Sequence, residues 1–309
     1  MLAVIGGSGL SRLSELTEAR RLDAATAWGE PSAPLLCGKL DGRPVVFLAR
    51  HGDPHRIPPH RINYRANIEA LKQLGVTRIL AVNTVGGLVP ATPPGALVIP
   101  DQLIDYTWGR AATFYDQDSA AVVHTDFTDP YAGELRRLLL AAGKQAGIVL
   151  LDGGCYGCTQ GPRFETAAEI RKLVADGCTL VGMTGMPEAF LARERGIDYA
   201  CCCLVVNWGA GQTCGGITLQ SIEAVMECQS TINPTGSPPK SRTPLLTIAR
   251  DLIGTGDLRF FSASLKVVVG NAYGVGETAG RLFYSIERPI FFGRCDDFLR
   301  YMQFIITMV

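Results

Sequence analysis

Arg50, His51 and Gly52 follow directly on the apolar run RPVVFLAR, and His55, Arg56, His60 and Arg61 come close behind. Three of the chain's four histidines therefore fall between positions 51 and 60, interleaved with arginines. A forked guanidinium beside an imidazole is well suited to hold a tetrahedral oxyanion; a solvated basic loop is the plainer alternative. Gly6-Gly7-Ser8-Gly9 closes an earlier apolar run. Glycines there let backbone N–H groups approach an anion, with a hydroxyl donor from Ser8, although a simple strand-to-helix turn uses the same residues. A dinucleotide fingerprint would need a third glycine where Arg12 stands, and the chain has no Gly-Lys-Ser/Thr phosphate loop. Asn83 and Thr84, ahead of Gly86-Gly87, offer polar side chains and amides at a strand's carboxyl end, where open α/β sheets bind ligands. Met183-Thr184-Gly185-Met186-Pro187-Glu188 forms a fourth such junction. Four anion-friendly junctions on four strand ends exceed what a bland domain needs.

The runs that must position them are short, rich in β-branched residues and closed by Gly, Pro or polar residues. LAVIGG, RPVVFLAR, RILAVNT, ALVIP, TLVGMT and YACCCLVVN are therefore predicted strands. Between them, residues 63–74 place Ile68, Leu71 and Leu74 on one helical face. Residues 165–174 and 187–195 read as further amphipathic helices, the latter with Pro187 in its first turn. The interleaving predicts an α/β fold, a central mixed or parallel sheet flanked by helices. Near residue 229 the character changes to STINPTGSPPKSRTP, a turn-rich stretch followed by a very apolar end. Two regions are expected: a catalytic domain over residues 1–228 and an atypical C-terminal extension over 229–309.

The 309 residues carry 29 basic and 29 acidic side chains, so charge points to neither nucleic acid nor an anionic membrane. MLAVIGGSGL reads as a buried first strand and no run is long enough to span a bilayer; a cytoplasmic location is expected. Cys201, Cys202 and Cys203, among the ten cysteines, read as small apolar residues of a buried strand. The Cys155-x-x-Cys158 spacing lacks a second ligand pair and any redox context, so no metal is expected.

The ordered segments GGSGL, RHGDPHRIPPHRINYRANIEALKQLGVTRILAVNTVGGL, TQGPRFET, GMTGMPEAFLARERGI and Asn207-Trp208 resemble the trimeric purine nucleoside phosphorylase family, in particular its methylthioadenosine and methylthioinosine branch. The resemblance covers about residues 1–228. It implies a phosphate site of Ser8, Arg50, His51, Asn83, Thr84 and Thr184. It sets Met183 beside the ribose, and Phe164 with Asn207, Trp208 and Gly209 around the base. It also makes Glu165 and Leu219 specificity positions and sends His124 to a neighbouring subunit's site in a homotrimer. Taken without the resemblance, Phe164 and Met183 would pass for core, Thr184 for a helix cap, and His124 for a surface residue on an edge strand.

What the resemblance implies is phosphorolysis of a purine nucleoside: orthophosphate attacks C1′ of an oxocarbenium-like ribose while the purine departs. Such chemistry asks for an oriented anion rather than a strong base, and needs no cofactor. Asn207 is the expected catalytic donor to the departing purine, because a bond that strengthens as charge develops lowers the barrier. Adenine-type members carry an acid there, whereas neutral Asn can donate to a 6-oxopurine. Leu219 aligns with a histidine that serves the 5′-hydroxyl in inosine/guanosine phosphorylases, so an apolar residue there favours a methylthio group. S-methyl-5′-thioinosine is the expected substrate. The alternatives are methylthioadenosine, inosine or guanosine, and an inactive nucleoside-binding relative. Relatives continue SIEAVMECQ as one long C-terminal helix; here Pro234 and its neighbours break it.

Overall fold

The structure is a computed structural model that describes residues 1–7, 16–116, 122–213, 216–218 and 225; Ser8, Leu219 and the region 229–309 lie outside the described residues. The chain runs β1 (Leu2–Gly6), β2 (Thr17–Leu22), β3 (Leu35–Leu40), β4 (Arg43–Ala49), α1 (Tyr64–Gln73), β5 (Arg78–Gly87), β6 (Leu97–Ile99) and β7 (Gln102–Asp105). It continues through α2 (Gly133–Gln145), β8 (Leu150–Asp152), β9 (Cys155–Cys158), α3 (Ala167–Ala175), β10 (Leu180–Gly182), α4 (Glu188–Glu194) and β11 (Asp198–Trp208).

All these strands join one mixed 11-stranded sheet in the order β2-β3-β4-β1-β5-β10-β9-β7, with β11 pairing β5 and β6, and β8 pairing β6. The centre is parallel: β1 lies between β4 and β5, and β11 follows β5 from Arg78 to Gly87. Apolar side chains on both faces of these strands explain their uninterrupted sequence runs. Leu80 and Cys202 pack on α2 through Leu135, Leu139 and Ala142. Ile79, Ala81, Cys201 and Cys203 face the opposite way, toward Ile68, Leu71, Leu191 and Ala192 of α1 and α4. The cysteine run is thus core, with the Cys201 and Cys203 sulfurs 3.3 Å apart on one face.

Local signals set the helix ends. The Asn63 side chain accepts from Ala66 N–H at the start of α1, and Thr166 and Glu169 form a reciprocal capping box on α3. The helix expected over residues 165–174 therefore begins at Ala167, and Glu165 lies outside it. Pro187 caps α4 rather than entering its first turn. Strands β2, β3, β7, β8 and β9 and helix α2 go beyond the sequence expectation. β2 lies exposed at one edge, bent by a register shift between Thr17 and Arg20 and by Glu18 at φ 54°.

One departure from regular pairing matters most. β1 pairs with β5 only as far as Ala81, and on that side the antiparallel β10 joins at Gly86. Among the described residues, 82–85 between them have no strand partner on that side. Asn83 and Thr84 sit there, inside a strand that runs on to Gly87 rather than at its carboxyl end. Gly86 and Gly87 supply close approach rather than free amides: a Cβ on Gly87 would lie 1.9 Å from the Thr92 carbonyl oxygen.

Candidate active site

Arg50 follows the last residue of β4, and its side chain reaches the unpaired stretch of β5. Its Nη1 donates to the Val82 carbonyl at 3.0 Å and its Nη2 to Asn83 Oδ1 at 3.3 Å. The fork itself grips Glu188, with Nε to Oε2 at 2.7 Å and Nη2 to Oε1 at 2.8 Å. Arg50 is 2% exposed and Glu188 is wholly buried, and Tyr199 OH donates to Glu188 at 2.9 Å. Burial opposes the Arg50 charge, but Glu188 outweighs that cost and raises the guanidinium's pKa. The fork expected to face an oxyanion is thus turned largely to Glu188. Four of the five N–H donors are engaged by protein, which leaves one Nη1 hydrogen on a fixed positive charge.

Asn83 carries the constellation onward. Its Nδ2 donates to Thr184 Oγ1 at 2.9 Å and lies 3.5 Å from Tyr156 OH, which in turn lies 3.4 Å from Thr184 N. Thr184 belongs to the turn between β10 and α4 and does not cap α4, whose cap is Pro187. Arg50, Asn83 and Thr184 are thus one buried hydrogen-bonded chain, with half-buried Thr84 beside it on β5. His51 is the next side chain along. Its Nδ1 lies 2.8 Å from the Ile57 carbonyl, so Nδ1 holds the proton, and its ring stacks on His55 at 4.3 Å. Burial, with Arg50 and His55 nearby, pushes the His51 pKa down to about 4, against the Ile57 carbonyl. The ring is neutral at pH 7, and Nε2 presents a lone pair that can accept a proton-bearing oxygen.

The expected nucleoside residues line the same stretch of sheet more loosely. Asn207, near the end of β11, is half-buried, and its Nδ2 donates to the Trp208 carbonyl at 2.8 Å. A Cβ on Gly86 would come within 3.2 Å of that nitrogen, so glycine keeps room for the amide. Trp208 is half-buried and Gly209 buried. Glu165 Oε1 accepts from Thr159 Oγ1 at 2.6 Å, and Thr159 N donates to the Gly182 carbonyl at 2.8 Å. Asn207, Gly86, Val181, Gly182 and Glu165 therefore succeed one another across four neighbouring strand ends. Met183 is half-buried, and a Cβ on Gly161, at φ +63°, would lie 2.6 Å from its sulfur. Phe164 is 44% exposed and is not core. His124 is exposed in an irregular segment, not on an edge strand.

Glu188, Tyr199, Tyr156 and Arg110 went unassigned in the sequence. Glu188 stands at a helix start, where an acid ordinarily favours the helix dipole from the surface, so nothing in the pattern marks it as buried. The two tyrosines lie in apolar strands and read as core. Cys155 and Cys158 fall on opposite faces of β9: Cys158 Sγ accepts from Met186 N at 3.2 Å, whereas Cys155 packs against the Ile170, Leu173 and Cys178 cluster.

The family model of the phosphorylase superfamily matches residues 1–231. A probable S-methyl-5′-thioinosine phosphorylase of Xanthomonas campestris pv. campestris is 55% identical over 214 residues, 69% of this chain and 85% of the relative. A probable 6-oxopurine nucleoside phosphorylase of Thermococcus kodakarensis is 45% identical over 234 residues, 74% of this chain and 87% of that one. Among solved structures, a methylthioadenosine phosphorylase from an antarctic soil metagenomic library superposes with a TM-score of 0.73 at 35% identity, covering 82% of this chain and 85% of its own.

Proposed function

The chain belongs to the phosphorylase superfamily, and from that membership we propose that it splits S-methyl-5′-thioinosine with orthophosphate, giving hypoxanthine and 5-methylthioribose 1-phosphate. The observation that carries this reading is the buried Arg50–Asn83–Thr184 chain, with Asn207 paired to Gly86 three residues beyond Asn83 on β5, and Glu165 linked through Thr159 to Gly182 of the neighbouring strand.

Orthophosphate binds beside the unpaired stretch of β5, against the remaining Nη1 hydrogen of Arg50, the hydroxyls of Thr84 and Thr184, and Ser8. His51 Nε2 accepts from the protonated phosphate oxygen, which turns an unprotonated oxygen toward C1′. The protein fixes the attack line and supplies a permanent charge that needs no reorganisation as the C1′–N9 bond breaks. Met183 packs under the ribose, while Phe164 and Trp208 bracket the purine. As negative charge grows on the leaving base, Asn207 Nδ2 donates to its N7/O6 edge and Glu165 accepts from N1–H. These roles require no cofactor. Leu219 sets the apolar 5′ end, and His124 serves the site of a neighbouring subunit in a homotrimer. Among the described residues no helix is long and apolar enough to cross a membrane, and we place the reaction in the cytoplasm.

A general 6-oxopurine nucleoside phosphorylase is the second reading, supported by the Thermococcus relative. Base release from methylthioinosine, inosine and methylthioadenosine, each with and without orthophosphate, separates the two. The expected result is phosphate-dependent release with methylthioinosine first. Release of equal rate in phosphate-free buffer identifies a hydrolase and sinks the proposal; inosine ahead of methylthioinosine replaces it with the second reading.

A further inference from the structure

Arg110 lies in the segment that leads away from β7, and its guanidinium collects backbone carbonyls from two separate parts of the site. Nη2 donates to Gln160 O at 2.9 Å, Met183 O at 3.0 Å and Thr159 O at 3.3 Å. Nη1 donates to the Met186 carbonyl and to Tyr64 OH, the latter at 3.3 Å, and Nε donates to Gln160 Oε1 at 3.2 Å. Its planar face also lies over the Tyr64 ring, 5.6 Å from the centroid. No ion pair joins Arg110 to a carboxylate among the described residues. Apart from Tyr64, the partners of its charge are carbonyl oxygens.

The segment that delivers this side chain is braced on both sides. Upstream, Trp108 and Gln160 exchange hydrogen bonds of 3.2 and 3.0 Å. Downstream, Glu194 accepts from Thr113 Oγ1 at 2.6 Å and from Phe114 N at 2.8 Å. Arg195 lies 3.8 Å over the Phe114 ring, and Arg65 pairs with Asp116 at 2.8 Å. Such bracing holds one side chain in place at both ends of its loop.

The acceptors define what is being held. Thr159 and Gln160 lead to Phe164 and to Glu165, which Thr159 itself contacts. Met183 and Met186 bound the β10–α4 turn. These two segments come so close that Gly161 has no room for a Cβ against Met183. By contrast, none of the acceptors belongs to the Arg50–Glu188–Asn83–Thr184 chain, and Thr184, between Met183 and Met186, is held separately by Asn83 Nδ2 and lies close to Tyr156 OH. We propose that Arg110 is a positioning residue for the nucleoside half of the site: it sets Met183 and the 159–165 segment at their working separation, independently of the phosphate half. Only a planar group with five donors can serve so many carbonyls at once, which is why arginine stands here.

The inference rests on the phosphorylase reading, and the test keeps the two apart. Steady-state kinetics with methylthioinosine and orthophosphate varied in turn would compare wild type, Arg110→Ala and Arg110→Lys. For Arg110→Ala the nucleoside KM rises by about tenfold or more while the phosphate KM stays within about twofold. Millimolar guanidinium restores part of the loss, and sodium at equal ionic strength does not. Arg110→Lys, one nitrogen in place of a fork, shows the same split at smaller size, and carries the test alone if the alanine variant does not fold. Calorimetric titration with hypoxanthine and with orthophosphate reads the same split without turnover. An unchanged nucleoside constant, or nucleoside and phosphate constants that weaken together, overturns the role of Arg110. A wild type without phosphate-dependent base release instead overturns the reaction, and hypoxanthine titration then still decides on Arg110, absence of base binding counting against it.

Discussion

The two halves of the proposed site are built by opposite strategies. At the half proposed for phosphate, Arg50, Glu188, Asn83 and Thr184 are buried and bonded to one another. At the half proposed for the nucleoside, Phe164 is 44% exposed, Asn207 and Met183 are half-buried, and the segments are tied through their backbone carbonyls to Arg110 rather than by side-chain burial. A small anion offers few atoms, so its site must be rigid and charged in advance, whereas a nucleoside brings apolar surface that can bury a half-open aromatic as it binds. One half is part of the fold's core and the other is held against it.

The comparison breaks most visibly if Glu188 is removed. Glu188→Ala strands the Arg50 guanidinium in the core and should cost about 3–5 kcal/mol in denaturant unfolding. Phe164→Ala, at a partly exposed ring, should cost below about 1 kcal/mol. Equal losses in the two variants would refute the division between core-built and surface-built halves. The next effect comes from His51. Its folded pKa of about 4 lies below the value of an unfolded histidine, so the unfolded chain binds the extra proton. Stability from this residue is fully present above about pH 6.5 and is lost as pH falls toward 4, as much as about 3 kcal/mol. Urea midpoints of wild type and His51→Gln, compared between pH 7 and pH 4.5, should converge on the acid side. A constant gap would mean that His51 does not sit neutral in the folded protein. The smallest and most discriminating effect belongs to the open half. Asn207→Asp replaces an amide donor by an acceptor and should move the methylthioinosine-to-methylthioadenosine ratio of kcat/KM by about tenfold to a hundredfold, or about 1–3 kcal/mol. An unmoved ratio would show that Asn207 does not read the purine edge.

The same division governs what the amino-acid sequence reveals. Central strands are legible because both their faces are buried, which leaves unbroken apolar runs such as YACCCLVVN. The Arg50, Asn83 and Thr184 positions are legible because polar residues at the ends of such runs stand out. Glu188 is not, since its partner lies 138 positions away in the chain and a helix-start acid has an ordinary explanation. Arg110 is hidden for a related reason: its acceptors are backbone carbonyls, which every residue possesses, so no side-chain pattern records them. β2 and β3 escaped because they are only partly buried and carry charged residues, and Gly86-Gly87 misled because glycine marks both a turn and a crowded strand.

The bent, charged edge strand β2 has a consequence for how the protein behaves in company. A flat strand at a sheet's margin is an open row of amides and carbonyls, and another polypeptide can lengthen the sheet by docking there. β2 denies that invitation three times over: its register slips between Thr17 and Arg20, Glu18 twists its backbone to positive φ, and Glu18, Arg20 and Arg21 cover it with charge. A newly made copy whose parallel centre is slow to assemble is therefore not recruited into a growing ribbon at the β2 edge of its finished neighbours.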